Sequence, residues 1–353
     1  MVVLLFCVTG AGLTVGGLLS DRLGVQKTEP GLIPVGAIGI SIFMFILFWS
    51  SPTASSILAA LQIITTFFIL AMSCGLFVLP LYSFIQQQKG THATHRLLCG
   101  HHLLNFLFAI LAINLITAFF YLGVQSRWVF FSLAISNAIV AVFIYKVIPE
   151  FFFRFLCFTL SRIIYRLRVH GYSNLPKKGP AVLVCNHVTF VDWMIVAGAC
   201  HRPVRFVMDQ AFLNIPLTGR LFRDGKVIPI TTGKKGPKLL KAASEKIAHE
   251  LESGNIVCIF PEGKITKTGQ LNLFKPGIEL IIKTTPVPVI PMALNGLWGS
   301  FFSRKYGRAM SKPFKRFRSQ ISLAIGPPIS PENVTASGLQ QDVASLHQPH
   351  HFP

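Results

Sequence analysis

Apolar residues dominate the chain from Met1 to about Pro149, where long hydrophobic runs alternate with short polar breaks. Five runs are long enough to span a membrane as helices, which needs roughly 20 apolar residues each. They cover about residues 2–19, 32–49, 57–80, 103–123 and 128–148. The first run lacks the basic start and the small-residue cleavage site of a signal peptide, so it is also interpreted as a span. The pattern predicts a membrane segment over residues 1–149.

Basic residues between the runs predict the orientation of this segment. Those that follow the first and third runs are Arg22, Lys27, Lys89 and Arg96. A dense basic stretch follows the fifth run, whereas the break after the second has no Lys or Arg and the break after the fourth has only Arg127. Because Lys and Arg favour the cytoplasmic side, the N-terminus is expected outside and everything after Pro149 in the cytoplasm.

Residues 150–169 form the predicted linker to the second half of the chain. Their arginines, at positions 154, 162, 166 and 168, alternate with aromatic and aliphatic residues. This pattern predicts an amphipathic helix in the membrane interface, with its basic groups on lipid phosphates. The alternative is that the stretch simply flanks the fifth span.

Strand-like and helix-like segments alternate over residues 170–331, which predicts an α/β domain with a mixed, mostly parallel sheet. One helix is expected from Lys238 to Leu251, where apolar residues recur on one side. Residues 332–353 are polar and are expected to form a C-terminal tail that is poorly ordered beyond Leu346.

Candidate chemistry follows two apolar, strand-like runs. Ala181–Cys185 leads into a loop with His187 and Asp192, and Ile256–Phe260 leads into Pro261 to Lys264. A carboxylate can orient an imidazole and raise its basicity, which suits an enzyme whose nucleophile is the substrate's own hydroxyl. Parallel strands would place both loops on one sheet edge. The alternative is an ordinary loop histidine bonded to a nearby carboxylate.

Together, these two motifs resemble the glycerolipid acyltransferases of the lysophosphatidic-acid type, over about Val169 to Ile329. In that family the histidine is the general base, the aspartate orients it, and the Pro-Glu-Gly loop binds the acceptor's glycerol phosphate. The resemblance implies that His187 and Asp192 are catalytic. It implies substrate binding by Asn186, Pro261, Glu262, Gly263 and Lys264.

Two further blocks of this family match less closely. Gly219 to Ile230 has the apolar frame of the second block, but Ile230 stands about where a phosphate-holding arginine usually falls. Arg220, Arg223 or Lys226 could supply that charge, and all three are predicted to bind substrate. The fourth block is matched by residues 287–292, which could equally be a plain core strand.

The break from Gly17 to Gly24, with an Asp-Arg pair between glycines, is similar to a loop signature of major facilitator transporters. Five spans with this loop after the first resemble the last five helices of a twelve-helix transporter. The alternative is a glycine-rich turn with a solvated ion pair. Bacterial fusion proteins join a lysophospholipid transporter of this type to an acyltransferase, often followed by an acyl-carrier-protein synthetase domain.

That second resemblance implies that seven helices are missing and that the chain does not transport alone. It also implies a truncated or split reading frame, with no synthetase domain after Pro353. A separate chain is a possible partner that supplies the missing helices.

The hydrophobic content and net charge of the chain indicate which binding partners it has. The chain is 52% hydrophobic, with a mean hydropathy of +0.57, a net charge of +20 and a pI near 10.0. Apolarity and basicity together indicate a membrane protein with a cationic face, and no nucleic-acid partner is expected. Anionic lipids, phosphate substrates or an acidic carrier protein fit the charge.

Two basic clusters are candidate surfaces. Lysines 234, 235, 238 and 241 could dock an acyl carrier protein or coenzyme A phosphates, although such runs are usually solvated. The second cluster is interspersed with Trp298, Phe301, Phe302 and Phe314 and is predicted to contact the membrane. Its basic residues are Arg304, Lys305, Arg308, Lys312, Lys315, Arg316 and Arg318. Seven cysteines without paired spacing indicate neither zinc nor disulfides, and no functional metal is expected.

The expected activity is transfer of a fatty acyl group from an acyl thioester, acyl-ACP or acyl-CoA, to a free hydroxyl of a lysophospholipid. Lysophosphatidic acid and lysophosphatidylethanolamine both fit as acceptors, and no cofactor is expected beyond the thioester cosubstrate. The expected location is the bacterial inner membrane, multi-pass, with the acyltransferase domain facing the cytoplasm. The alternative is a transporter component whose acyltransferase domain is inactive or regulatory.

Overall fold

The structure is a computed structural model that describes residues 2–23, 29–50, 57–86, 91–216, 218–230, 236–311 and 318–347. The chain divides into two compact units, Met1–Phe152 and Phe153–Pro353. We call them the membrane unit and the α/β unit.

The membrane unit contains five apolar helices that are long enough to cross a bilayer, as the hydrophobic runs predict. They are α1 (Val2–Leu23), α2 (Leu32–Trp49), α3 (Ile57–Gln86), α4 (Thr91–Tyr121) and α5 (Ser126–Val147). Helix α3 packs against α1 and α2, and α2 also packs against α5.

Glycines allow the closest of these helix contacts. A Cβ atom added at Gly16 of α1 would lie 2.2 Å from the backbone oxygen of Met72 in α3, and one at Gly36 of α2 would lie 2.6 Å from the Phe77 nitrogen. Close backbone approach at small residues stabilises helix pairs in membranes. The α2–α5 pair has a polar contact as well, because Asn137 Nδ2 donates to the Ala37 oxygen at 2.7 Å.

The linker predicted as a single amphipathic helix over residues 150–169 is a helix followed by a strand in the structure. Helix α6 (Pro149–Ile164) ends before the predicted boundary, and residues 165–169 belong to strand β1 (Tyr165–His170). Arg166 and Arg168 are exposed while Leu167 and Val169 are partly buried. The alternation of basic and apolar residues at this point therefore has the two-residue period of a strand.

The inner face of α6 is also part of the α/β unit, which corrects the expectation that its arginines contact lipid phosphates. Arg154 is only 3% exposed. Its Nη1 donates to the Cys200 oxygen at 2.6 Å, and burial lowers its pKa to about 10. Arg162 lies over the Phe158 ring, 3.6 Å from the ring centroid. Its Nη1 also donates to the Gly198 oxygen at 3.4 Å. Both guanidinium groups therefore join α6 to the C-terminal end of the helix over Asp192–Ala199.

Seven strands form one sheet in the order β1-β7-β6-β2-β5-β3-β4. After β1, the strands are β2 (Ala181–Cys185), β3 (Val204–Asp209), β4 (Ile228–Ile230), β5 (Ile256–Ile259), β6 (Val289–Asn295) and β7 (Ser319–Ile325). Neighbouring strands are parallel except β6 and β7, which are antiparallel. The predicted mixed, mostly parallel α/β sheet is confirmed.

Helices cover both faces of this sheet, so its central strands are apolar throughout. Besides α6, these helices are α7 (Asp192–Ala199), α8 (Thr218–Asp224), α9 (Gly236–Glu252), α10 (Gly277–Thr284) and α11 (Ala336–His347). Leu183 of β2 joins a core with α6 and α7, whereas Val182 joins the core formed with α9, α10 and α11. Alternate residues of one strand therefore enter two separate cores.

The predicted C-terminal tail is wrong for residues 336–347. These residues form α11, whose Leu339 and Val343 are buried in the second core. Their spacing of four places both side chains on one helical face. The Leu346 oxygen also accepts a hydrogen bond from Asn295 of β6 at 3.3 Å. Residues 348–353 lie outside the described part of the chain.

The order of the strands sets the location of the site. Strands β2 and β5 are parallel neighbours, so the loops that follow their carboxyl ends leave the sheet at the same edge. Those loops carry the two sequence motifs.

Candidate active site

A buried carboxylate organises the loop after β2. Asp192, the first residue of α7, is 0% exposed. Its Oδ2 accepts hydrogen bonds from His187 Nδ1 at 2.8 Å, the Val188 nitrogen at 2.6 Å and the Thr189 nitrogen at 2.9 Å. Its Oδ1 accepts from Thr189 Oγ1 at 2.5 Å. The carboxylate therefore fixes both the loop backbone and the histidine ring.

Glu262 joins this loop to the one after β5. It is 2% exposed, and its Oε1 accepts from the His187 nitrogen at 2.7 Å. Its Oε2 accepts from both the backbone nitrogen and Nδ2 of Asn272. Burial raises the pKa of this carboxyl, against the lowering effect of its hydrogen bonds. A further bond, from the Thr266 nitrogen to the His187 oxygen at 2.9 Å, holds the loops together.

The imidazole of His187 is exposed on one side only. It stacks on Phe260, with ring centroids 4.4 Å apart, and its side chain is 21% exposed. His187 lines a cavity. Since its Nδ1 is bonded to Asp192, Nε2 is the nitrogen that is left to interact with a ligand in that cavity. A neutral imidazole with Nδ1 protonated can accept a proton at Nε2.

That cavity has a volume of about 330 Å³ and is mainly apolar. Its lining residues are His187, Phe190, Trp193, Val207, Met208, Asp209, Phe212, Phe222, Ile230, Phe260, Gly263, Lys264, Ile265 and Arg304. An apolar wall with a few charged groups fits a ligand that has both a hydrocarbon and an ionic part.

The residues predicted to bind substrate divide into two groups. Gly263, with φ of +64°, and Lys264 line the cavity. Asn186 and Glu262 are buried and bonded to protein instead, since the Asn186 amide exchanges hydrogen bonds with the backbone of Leu294 in β6. The Pro261 oxygen accepts from the Lys275 nitrogen at 3.0 Å. Asn186, Pro261 and Glu262 thus make contacts within the protein, and their predicted part in substrate binding stays a prediction.

Arg220, Arg223 and Lys226 are not among the residues that line the cavity. All three are exposed, and Arg223 Nη1 donates to the Leu213 oxygen at 2.8 Å. The reason is the direction of α8, which turns Phe222 into the cavity and its arginines outwards. Ile230 does line the cavity. Their positions therefore do not support the prediction that one of these three cations supplies the charge of the arginine that Ile230 replaces.

Arg304 lines the cavity, although the sequence suggested only membrane contact for it. It reaches this position because Ser303 pairs with Thr189 in an isolated antiparallel bridge. Nothing in the sequence near Arg304 marks that bridge. The side chains of lysines 234, 235, 238 and 241, and residues 312–317, lie outside the described part of the structure.

Comparison with known proteins addresses the family of the α/β unit. Residues 166–295 match the Acyltransferase family model. These residues are an acyltransferase-family domain. The match starts after the five apolar helices, and the comparisons give no support for a transporter origin of those helices.

Two curated relatives are similar to this acyltransferase domain. The chloroplastic 1-acyl-sn-glycerol-3-phosphate acyltransferase of Arabidopsis thaliana is 29% identical, over 37% of this chain and 36% of the relative. A 1-acyl-sn-glycerol-3-phosphate acyltransferase of Borreliella burgdorferi is 25% identical, over 36% of this chain and 51% of the relative. The chain thus spans about a third to a half of the length of these relatives.

Among solved structures, the 1-acyl-sn-glycerophosphate acyltransferase of Thermotoga maritima is 22% identical. The match covers 69% of this chain and 95% of that one, with a TM-score of 0.45.

Proposed function

We propose that the chain transfers a fatty acyl group from an acyl thioester to the free hydroxyl of a lysophospholipid, with 1-acylglycerol-3-phosphate as the first candidate acceptor. The observation that carries the proposal is a histidine oriented by a buried carboxylate beside an apolar, cation-bearing cavity. The nucleophile in this proposal is the acceptor's own hydroxyl, which a histidine oriented in this way can deprotonate. The curated relatives, named as 1-acylglycerol-3-phosphate acyltransferases, support the same reaction.

In this mechanism His187 Nε2 removes the proton from the acceptor hydroxyl, whose oxygen attacks the thioester carbonyl carbon. Asp192 stabilises the resulting imidazolium through Nδ1. Positive charge in the cavity stabilises the oxyanion, and Lys264 is our candidate for that role. Collapse of the intermediate forms the ester, breaks the C–S bond and returns the proton from His187 to the departing thiolate. No covalent acyl-enzyme is formed.

The five apolar helices keep the enzyme in the membrane that contains its acceptor. We place the acyltransferase domain on the cytoplasmic side of a bacterial cell membrane, because the basic residues between the helices favour that orientation. Acyl-ACP or acyl-CoA then arrives from the cytoplasm, and lysophosphatidylethanolamine remains the second candidate acceptor.

The transporter relationship of the helices also remains a proposal. It rests on the Asp21-Arg22 pair, which the structure places at the C-terminal end of α1 and not in a loop, and on the close glycine contacts of α1 and α2 with α3. In such a transporter, seven further helices would face these five. In that arrangement a flipped lysophospholipid would be delivered to the acyltransferase domain.

The test uses purified chain in liposomes, a labelled acyl thioester and a panel of lysophospholipids that differ only in head group. We expect labelled product with 1-acylglycerol-3-phosphate. A parallel assay measures the movement of fluorescent lysolipid between leaflets. Flipping without any acyl transfer would contradict the enzyme proposal and favour the transport component.

A further inference from the structure

The cavity has few charged side chains among its described lining residues, and more of them are cationic than anionic. Among its described lining residues the cationic side chains are Lys264 and Arg304, and the carboxylate is Asp209. Asp209 also caps the short helix that follows it, since its Oδ1 accepts a hydrogen bond from the Ala211 nitrogen at 2.9 Å. Ile230 contributes an apolar surface. A phosphate that enters the cavity therefore meets positive charge at Lys264 and Arg304.

The backbone that carries Arg304 is fixed to the histidine loop. Ser303 is 0% exposed and pairs with Thr189, which itself donates to Asp192. Ser303 Oγ accepts from the Gly299 nitrogen at 3.1 Å and donates to the Ser300 oxygen at 2.9 Å, which closes the turn before Arg304.

The Arg304 side chain extends from this fixed point over the same loop. Its Cζ lies 5.4 Å from the centroid of the Phe190 ring, and Phe190 also lines the cavity. Arg304 is an exposed residue, and the planar set of five donors on its guanidinium fits two phosphate oxygens at once. The segment that carries His187 and the segment that carries Arg304 are thus joined by the Thr189–Ser303 bridge.

We propose that Arg304 binds the phosphate of the acceptor and thereby favours a lysophospholipid over a monoacylglycerol, which lacks the phosphate. The inference rests on the proposed acyl transfer and adds its specificity residue. In 1-acylglycerol-3-phosphate the reacting hydroxyl and the phosphate are on adjacent carbons, so the base and the phosphate-binding group must share one cavity. The phosphates of an acyl-CoA or acyl-ACP donor are separated from the thioester by the whole pantetheine arm.

The test compares Arg304→Ala and Arg304→Lys with the matched control Arg308→Ala. Arg308 is an exposed arginine of the same loop that is not among the cavity-lining residues. Kinetic constants are measured for 1-oleoylglycerol-3-phosphate and for the acyl donor. Equilibrium binding to the detergent-purified full chain is measured for the same phosphate and for 1-oleoylglycerol, which lacks it.

Loss of a bidentate charged hydrogen bond predicts that Arg304→Ala raises KM and Kd for the phosphate roughly 10- to 100-fold. The values of kcat, the donor KM and the Kd for 1-oleoylglycerol are expected to stay within about threefold. Arg304→Lys should recover part of the loss, because a point charge remains. Arg308→Ala should match the wild type.

Equal weakening of both ligands, an unchanged Kd for the phosphate, or an increase confined to the donor KM would each overturn the inference. The last result would assign Arg304 to a donor phosphate. The binding measurement separates this inference from the proposed function. A wild-type chain that binds the phosphate through Arg304 without any turnover would refute acyl transfer and leave the phosphate site standing.

Discussion

Replacing Asp192 by asparagine separates the charge of this residue from its hydrogen bonds. The asparagine oxygen can occupy the place of Oδ2, where it keeps the bonds from His187 Nδ1 and from the Val188 and Thr189 nitrogens. The amide nitrogen then faces Thr189 Oγ1, which can accept a hydrogen bond, and the Thr189 nitrogen at 3.0 Å, which retains its bond to the other position. The reverse orientation would set the amide N–H groups against two backbone donors that cannot change. The first orientation is therefore favoured, and the histidine tautomer is preserved.

The expected loss of activity follows from this orientation. Asp192→Asn removes the negative charge that stabilises the imidazolium of His187, and a hydrogen bond to a charged group contributes about 1.5–3 kcal/mol. This corresponds to a fall in kcat of roughly 10- to 150-fold. A reversed amide would instead lock the proton on Nε2, and the wrong tautomer costs on the order of 10⁴-fold in a comparable triad.

The measurement is kcat of the purified chain with 1-acylglycerol-3-phosphate, together with the thermal unfolding temperature in detergent. Asp342→Asn, a change at an exposed aspartate of α11, is the control and should leave both unchanged. A loss near 10⁴-fold with an unchanged unfolding temperature would refute the argued orientation. An unchanged kcat would refute the role of the charge itself.

Three further substitutions test separate parts of the structure. In Glu262→Gln the single amide oxygen can accept from only one side, so either the His187 nitrogen or the Asn272 nitrogen faces an N–H group. We expect about 1–3 kcal/mol of destabilisation and reduced kcat; full activity at the wild-type unfolding temperature would contradict the role of Glu262 in joining the two loops. Leu339→Ala removes a fully packed side chain of α11 and should cost about 2–5 kcal/mol in denaturant unfolding, whereas a dispensable tail would show no change. Gly16→Leu should weaken the α1–α3 contact at Met72 and lower the unfolding temperature of the membrane unit, and an unchanged temperature would dispute that packing.

The sequence predicted those features that depend on local patterns. Continuous apolar runs indicated the five spans and the buried strands, because a helix in lipid and a strand covered on both faces each require them. His187 and Asp192 lie close in the chain, so their contact depends on one short loop. The neighbouring position of the Glu262 loop followed from the parallel arrangement of strands.

Features that depend on distant contacts were missed or misplaced. Arg304 enters the cavity through the Ser303–Thr189 bridge, and no local signal indicates such a pairing. Arg220, Arg223 and Lys226 are close to a motif in the sequence, but all three are exposed and are not among the described cavity-lining residues. Arg154 suited lipid phosphate by its pattern, yet its guanidinium is buried against the Cys200 oxygen.

A comparison of acyl transfer by the wild type and by His187→Ala in the same liposomes tests whether His187 is the general base. The variant removes the proton acceptor but keeps the backbone bonds of residue 187 with Glu262 and Thr266. We expect a loss of about 10²- to 10⁴-fold in kcat at an unfolding temperature close to that of the wild type. Transfer at the wild-type rate by the folded variant would contradict the assignment of His187 as the general base.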